Sequence, residues 1–261
     1  MNVALRLAAL PPWASITIVV VIPTVIAMFG PAIARRTVGL ERLAANNEVA
    51  GFKFAVLGVV YAVLLGFAVI VVWEKFHDAE SAVAQEAGTV TTLFRLSGGM
   101  DAPAKAIFQE RLDAYIHAAI EDDWPAMARG GSSRVVTVAI NDLYATALAQ
   151  HPTDKGAVAV LSAVLTQLDQ LTEARRTRLV LAEGSVPGVV WTVLSVGAVV
   201  TVGFTFFFGT PSLRAQGLMT ALLALTIFMG LLVIMSINGP FTGGVSVSFE
   251  PLQLVLDEFG P

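Results

Sequence analysis

Residues 46–76 read NNEVAGFKFAVLGVVYAVLLGFAVIVVWEKF, and the twenty residues from Phe54 to Trp73 include no Asp, Glu, Lys, Arg or His. A helix rises about 1.5 Å per residue, so this length matches the roughly 30 Å hydrocarbon core of a bilayer. Trp73, followed by Glu74 and Lys75, is typical of a helix end at the membrane–water interface. The stretch therefore predicts a transmembrane helix.

The same helix is expected to continue into water. Beyond the span, apolar residues recur at three- and four-residue spacing, at Phe76, Ala79, Val83, Ala87, Val90 and Phe94. The run Ser97-Gly-Gly-Met-Asp101 then breaks the pattern, and Asp101 followed by Pro103 is typical of a new helix start. We expect one long helix with its first half in lipid and its second half in water.

Two stripes of small residues at four-residue spacing predict close helix packing. Such stripes let the backbones of neighbouring membrane helices approach each other. They are Gly58, Ala62 and Gly66 in this span, and Gly197, Thr201 and Thr205 in a later one.

The composition is that of an integral membrane protein. Of 261 residues, 56% are hydrophobic and 14% are charged, against about a quarter charged in soluble proteins. The net charge of −4 and the lack of clustered basic residues argue against nucleic-acid binding. The sequence has no cysteine and none of the common hydrolase, metalloprotease or nucleotide-binding motifs. We therefore expect no catalytic residues, no cofactor, no metal site and no enzyme activity.

Hydropathy divides the chain into two pairs of spans. Residues 1–76 contain predicted spans at about 14–34 and 54–73, and residues 185–237 contain predicted spans at about 186–208 and 217–237. The first apolar run is too long for a signal peptide and is followed by two arginines, so it is interpreted as a membrane helix. Within it, Pro23 predicts a kink, and Gly30-Pro31 is expected to loosen or stop the helix.

The segments between and after these pairs are amphipathic. Residues 77–184 predict four helices joined by short links, as in an antiparallel bundle outside the membrane. Residues 238–261 predict a tail with a short amphipathic helix. The predicted fold class is an all-α membrane protein with four transmembrane helices in two pairs, separated by an antiparallel helical bundle.

Four spans would place the bundle and both termini on the same side of the membrane. Five basic residues flank the spans on each side, so the positive-inside rule leaves the orientation open, although the dense charge of the link after the first span favours a cytoplasmic link. The expected location is the cell inner membrane, as a multi-pass protein.

Three stretches carry a resemblance to a known family: residues 46–76, residues 175–191 (RRTRLVLAEGSVPGVVW) and residues 238–252 (NGPFTGGVSVSFEPL). In this order they resemble the bestrophin-like domain family, bacterial membrane proteins without an assigned activity. The family name implies a distant likeness to bestrophins, which are pentameric anion channels with four spans and a helical cytosolic domain. The resemblance implies a homo-oligomer in the lipid bilayer that conducts small anions. One departure is Phe249, where the family usually has Pro.

Candidate pore residues follow from this interpretation, each with an alternative. Phe204 and Phe207, in an aromatic cluster ending the third span, could form a hydrophobic gate, or they could be bulk that faces lipid or a neighbour. Arg175, Arg176 and Arg178, about a turn before the third span, could form an anion vestibule, or they could meet lipid headgroups. They form one basic cluster in the sequence.

Two polar groups have simpler interpretations. Glu121-Asp122-Asp123 is expected to be a solvated helix end. Asn46, Asn47 and Glu48 are expected to cap the long helix, with a polar ring at a pore mouth as the alternative.

Two functions remain open from the sequence. The first is a homo-oligomeric bestrophin-like ion channel. The second is a non-conducting membrane scaffold or signalling protein that couples its helical bundle to the membrane.

Overall fold

The computed structural model describes residues 10–184 and 186–259, and this part of the chain contains no strand. Four of its helices are long and apolar enough to cross a membrane. The predicted fold class is confirmed. The chain forms two compact units: a membrane unit of residues 1–74 and 185–239, and a bundle unit of residues 75–184 and 240–261.

Nine helices of 6 or more residues make up most of the part of the chain that the structure describes. In chain order they are α1 Pro12–Val38, α2 Leu40–Ala45, α3 Asn47–Ser97, α4 Ala102–Ala118, α5 Arg134–Leu148, α6 Lys155–Leu181, α7 Gly188–Phe204, α8 Leu213–Ile237 and α9 Glu250–Phe259. A π-helical turn, Ala119–Asp123, and the short helix Trp124–Ala128 prolong α4, and a 3-10 turn, Thr205–Phe207, prolongs α7.

Helix α3 is unbroken over 51 residues. Its first 28 residues, 47–74, belong to the membrane unit and the rest belongs to the bundle unit. The expectation of one long helix that ends at Ser97 is confirmed.

Gly30-Pro31 was expected to loosen or stop α1, and it does not stop it, because the helix continues to Val38. Gly30 and Pro31 are both buried, and a Cβ atom on Gly30 would overlap the ring of Phe206. Packing along this face outweighs the single hydrogen bond that Pro31 cannot donate. Near Pro23 the irregularity takes the form of a π-helical turn, Thr17–Val21, just before the proline.

The larger apolar core of the bundle unit receives residues from α3, α4, α5, α6 and α9, and a smaller cluster forms around Val83, Met127 and Phe241. Val90, Phe108, Leu143, Leu168 and Leu252, from α3, α4, α5, α6 and α9 in turn, are each fully buried. The tail helix α9 therefore packs into the bundle and is part of its core. Phe259 of this helix stacks on Phe94 with ring centroids 5.2 Å apart.

Candidate functional site

The membrane-spanning part of α3 makes few contacts within the chain. Only 11% of its most apolar window is buried, against 33% for α8. Large apolar side chains along it are exposed, among them Val59 at 65% and Phe67 at 64%. A Cβ atom on Gly58 or Gly66 would meet nothing within 4 Å. Within the described residues, no other helix therefore packs against Gly58 or Gly66, and the packing role of the first small-residue stripe stays a prediction.

The second small-residue stripe lies against other helices. A Cβ atom on Gly197 would lie 2.6 Å from the ring of Tyr61, whose hydroxyl donates a 3.0 Å hydrogen bond to the carbonyl of Leu194. Thr201 is buried, and the hydroxyls of Thr205 and Thr220 are 3.2 Å apart. These contacts show where the stripe lies: α7 meets α3 at Gly197, and the turn after α7 meets α8.

The aromatic cluster at the end of α7 is divided between packing and exposure. Phe54 of α3 contacts Phe204 at a centroid distance of 5.8 Å and Phe208 at 5.7 Å. Phe206 covers Gly30, and Phe207 is 56% exposed. Phe204 therefore has partners within the chain and Phe207 has an exposed ring. A gating role for either residue stays a prediction.

The links at one edge of the membrane unit are held by an asparagine. The Asn47 side-chain amide donates to the carbonyl of Gly209 at 2.7 Å, and its oxygen accepts from the Gly209 N–H at 2.9 Å. Gly209 lies so close to the backbone of Ala44 that a side chain could not fit. Asn47 was expected to cap α3, but its side chain instead joins the start of α3 to the turn before α8.

The bundle unit contains a charged cluster with no access to solvent. Glu86 of α3, Tyr115 of α4 and Arg178 of α6 are all 0% exposed. The Arg178 guanidinium donates through Nε to Glu86 Oε2 at 2.6 Å and through Nη2 to Glu86 Oε1 at 3.0 Å. Tyr115 donates its hydroxyl to Glu86 Oε1 at 2.6 Å. The two hydrogen bonds from Arg178 to Glu86 form the Glu86–Arg178 fork.

Asp123 joins the two arginines of the cluster. It accepts from Arg175 Nε at 2.7 Å and Nη2 at 3.1 Å, and from Arg178 Nη2 at 3.3 Å. It also accepts from the Ser133 N–H at 2.7 Å, which fixes the start of α5. Two buried carboxylates thus face two buried guanidiniums, and the cluster is neutral.

The Arg178 guanidinium also has two weaker partners, an aromatic ring and a sulfur atom. Its guanidinium lies 4.5 Å from the ring centre of Trp124, and Nη1 is 3.2 Å from the sulfur of Met127. Trp124 in turn donates its indole N–H to the carbonyl of Val247, at 3.3 Å. The tail after α8 is therefore anchored on the residue that stacks on Arg178.

The charges in the cluster shift two pKa values. Burial alone would lower the pKa of Arg178, but the Glu86 carboxylate, followed by Tyr115 and Asp123, outweighs burial and raises it above its usual value. Burial raises the pKa of Tyr115 well above its usual value, and the neighbouring Glu86 carboxylate adds to this. Arg178 is thus held as a cation and Tyr115 as a neutral donor.

The structure separates the three arginines that the sequence groups together. Arg175 and Arg178 are buried in the ion pairs described above. Arg176 is exposed, and its guanidinium lies 3.9 Å from the Glu173 carboxylate. Together with Lys75 it lines an open groove of about 570 Å³ between α3 and α6. The anion-vestibule assignment stays a prediction, and Arg176 is the member of the trio with an exposed guanidinium.

The expectation that Asp123 is solvated is wrong. Its side chain is fully buried because it pairs with Arg175 and Arg178 of α6, whereas Glu121 and Asp122 beside it are exposed. Glu86 was not singled out from the sequence at all. The sequence does contain a pattern that could have identified it. Glu86 lies in a stripe of otherwise apolar residues, spaced alternately by four and three, at positions 79, 83, 86, 90 and 93 of α3. Arg175 and Arg178 lie in the corresponding stripe of α6, at positions 164, 168, 171, 175 and 178.

The sequence matches the model of the Bestrophin-like domain over residues 21–252. None of the curated proteins searched matches it.

The fold matches crystal structures of the bacterial bestrophin homologue from Klebsiella pneumoniae. Two variants of that protein align with TM-scores of 0.70, at 15% and 16% identity; the alignments cover 92% and 93% of this chain and 99% of the other. A further structure of it gives a TM-score of 0.68 at 16% identity over 92% of this chain and 98% of the other. At this identity, the likeness shows a shared fold.

Proposed function

This chain belongs to the bestrophin-like family, and we propose that it is a homo-oligomeric, anion-selective ion channel of the cell inner membrane, with α3 lining the pore. The alternative of a membrane scaffold is an outcome of the experiments below.

The exposure of α3 carries the proposal. It is the least buried of the four spans, although it is the longest helix and the most hydrophobic one. An apolar helix that is exposed to lipid needs no protein partner. A helix with exposed Gly66 and Ala62 on the same face, however, is suited to another helix that can approach closely.

The number of spans supports assembly. The four spans contact one another through Tyr61–Gly197 and through Gly217, where a Cβ would lie 3.1 Å from the carbonyl of Met28. Four helices are too few to enclose a wide pore within one chain. A pore would then be enclosed by several copies around an axis. Symmetric homo-oligomers with cyclic symmetry are the common way to build such a ring.

The charge distribution bears on the ion. The four predicted spans contain no Asp, Glu, Lys, Arg or His. The edge formed by the two short links has five basic residues, Arg35, Arg36, Arg42, Lys53 and Arg214, against Glu41 and Glu48, a net charge of +3. A basic mouth raises the local concentration of anions. The bundle unit is acidic, with 10 basic against 17 acidic residues, a net charge of −7, so selectivity must be measured directly.

Two measurements test the proposal. The mass of the detergent-solubilised particle is expected to be a multiple of the 27.5 kDa chain. Purified protein in planar bilayers is expected to conduct, with a reversal potential in a KCl gradient that lies near the chloride equilibrium potential. A monomer that leaves bilayers and liposomes impermeable would contradict the channel and favour the scaffold. A reversal potential near that of potassium would retain the channel and reject anion selectivity.

A further inference from the structure

Near Glu86, the face that α3 buries in the bundle unit is lined by short side chains, and the larger Leu93 and Phe94 follow about two turns later. Around Glu86 the buried residues of this helix are Ala79, Ala82, Val83, Ala87 and Val90. Short side chains interdigitate less deeply with a neighbouring helix than Leu or Phe do, so they resist sliding and rotation less. Glu86 is the charged residue among these short side chains.

The buried ions are not required for stability in the way that the apolar core is. Removing a carboxylate and a guanidinium from water costs several kcal/mol each, and apolar residues of similar volume often replace such a pair without loss. What the pair adds is geometry. A shift of α3 by one residue would move Glu86 by about 1.5 Å and about 100° around the axis, which breaks both bonds of the fork.

Arg178 is the fixed member of the pair. It has two further partners on the extension of α4: Nη2 also donates to Asp123 Oδ2 at 3.3 Å, and the guanidinium lies 4.5 Å from the ring centre of Trp124. The element that the fork positions is therefore α3. Helix α3 continues without a break from Glu86 to Asn47.

We propose that the Glu86–Arg178 fork is a register lock that selects one rotation and height of α3 against α6. Glu86 and Arg178 are positioning residues, and they do not contact the permeating ion. The structural part of the proposal is independent of the proposed function; its consequence for conduction rests on that function.

The test replaces the fork and its hydroxyl partner by apolar groups of similar size, in the variant Glu86→Leu/Tyr115→Phe/Arg178→Met. Arg175 remains to pair with Asp123. We expect the full-length variant to unfold in detergent within a few degrees of the wild-type temperature. We also expect backbone amides of residues 80–97 to exchange with deuterium about tenfold faster, because α3 is then held less firmly against α6 and opens locally more often. In bilayers the open probability is expected to change by about threefold or more.

A matched control is Arg134→Met, the same substitution at the exposed first residue of α5, which is expected to change none of the three readouts. If the apolar variant does not fold, Arg178→Lys decides, because it keeps the charge but cannot form the fork. Unchanged amide exchange in a folded variant would overturn the lock. Faster exchange with unchanged open probability would retain the lock and reject its effect on conduction. If the wild type does not conduct, the exchange measurement still decides.

Discussion

The bundle unit and the membrane unit hold their helices together in different ways. In the bundle unit, large apolar residues such as Phe108 and Leu168 are fully buried, and the buried ions of Arg178, Glu86 and Asp123 are added to that core. In the membrane unit, helices meet at glycines, where a Cβ would lie 2.6 Å from Tyr61 or, at Gly230, 2.7 Å from Leu65.

The difference follows from the surroundings of each unit. In water, burial of apolar area stabilises a bundle at about 25 cal/mol per Å² and is indifferent to register, so charged groups can supply the specificity. In lipid, apolar side chains gain little by leaving the solvent, so association depends on close contact and on hydrogen bonds. Substitutions at matched positions in the two units measure this contrast.

The largest effect is expected at Arg178. Arg178→Met leaves Glu86 as a buried carboxylate with only Tyr115 beside it, and we expect a loss of about 3–5 kcal/mol in the free energy of unfolding. Denaturant titration of the detergent-solubilised protein, followed by circular dichroism, measures it. Arg176→Met, two residues earlier and exposed, should cost under about 1 kcal/mol. Equal losses at the two arginines would contradict the assignment of the fork.

A smaller and pH-dependent loss is expected at Tyr115. Tyr115→Phe removes a hydrogen bond to a carboxylate, which is worth about 1.5–3 kcal/mol. Because the pKa of Tyr115 is raised in the folded state, its contribution is complete below the unfolded value of about 10 and is lost as the pH rises through the folded value. The stability difference between wild type and variant should therefore narrow above about pH 10. A constant difference up to pH 11 would count against this, as would the same loss in the control Tyr144→Phe, whose partly buried ring has its hydroxyl 3.4 Å from that of Thr172.

In the membrane unit, Gly197→Ala is expected to destabilise by about 1–3 kcal/mol, because the new methyl group meets the Tyr61 ring. Gly203→Ala in the same helix is the control, since its Cβ would meet nothing within 4 Å. The control should be neutral or gain up to about 1 kcal/mol from helix propensity. The unfolding temperatures of the two variants, measured in the same detergent, give this comparison. An unchanged unfolding temperature for Gly197→Ala would show that α7 can move away from Tyr61 at little cost.

The smallest effect is expected at Asn47. Asn47→Ala removes both hydrogen bonds to Gly209, in a partly exposed position, for a loss of about 1 kcal/mol. Asn46→Ala, which loses one exposed bond to Arg42, should be nearly neutral. Proteolysis of the link between α7 and α8 in mild detergent is a sensitive measurement, and equal cleavage of both variants would contradict the role of Asn47.

Local patterns were sufficient for much of the fold. The uncharged run from Phe54 to Trp73, the break at Ser97 and the four spans could be predicted because hydropathy and helix punctuation act over a few residues. The wrong expectations arose where distant packing outweighed local preference. Pro31 remains helical because Gly30 is packed under Phe206, and Asp123 is buried because it pairs with Arg175 and Arg178, 52 and 55 positions away in the chain.

The candidate site divides in the same way. Arg175, Arg176 and Arg178 form one basic cluster in the sequence, yet two of them are buried and one is exposed. Their positions in the heptad of α6 could have distinguished them, since a charged residue in an apolar stripe predicts a buried partner. The heptad does not identify that partner.

The amino-acid sequence by itself determined that four segments of this protein are apolar enough to cross a membrane and that amphipathic helices lie between the pairs, because each of these properties depends on neighbouring residues. Tertiary structure alone decided that Arg178 pairs with Glu86, 92 positions away, that Gly197 meets Tyr61, and that the tail helix completes the bundle core. Such pairings depend on how helices pack in three dimensions, and many different pairings satisfy the same local pattern.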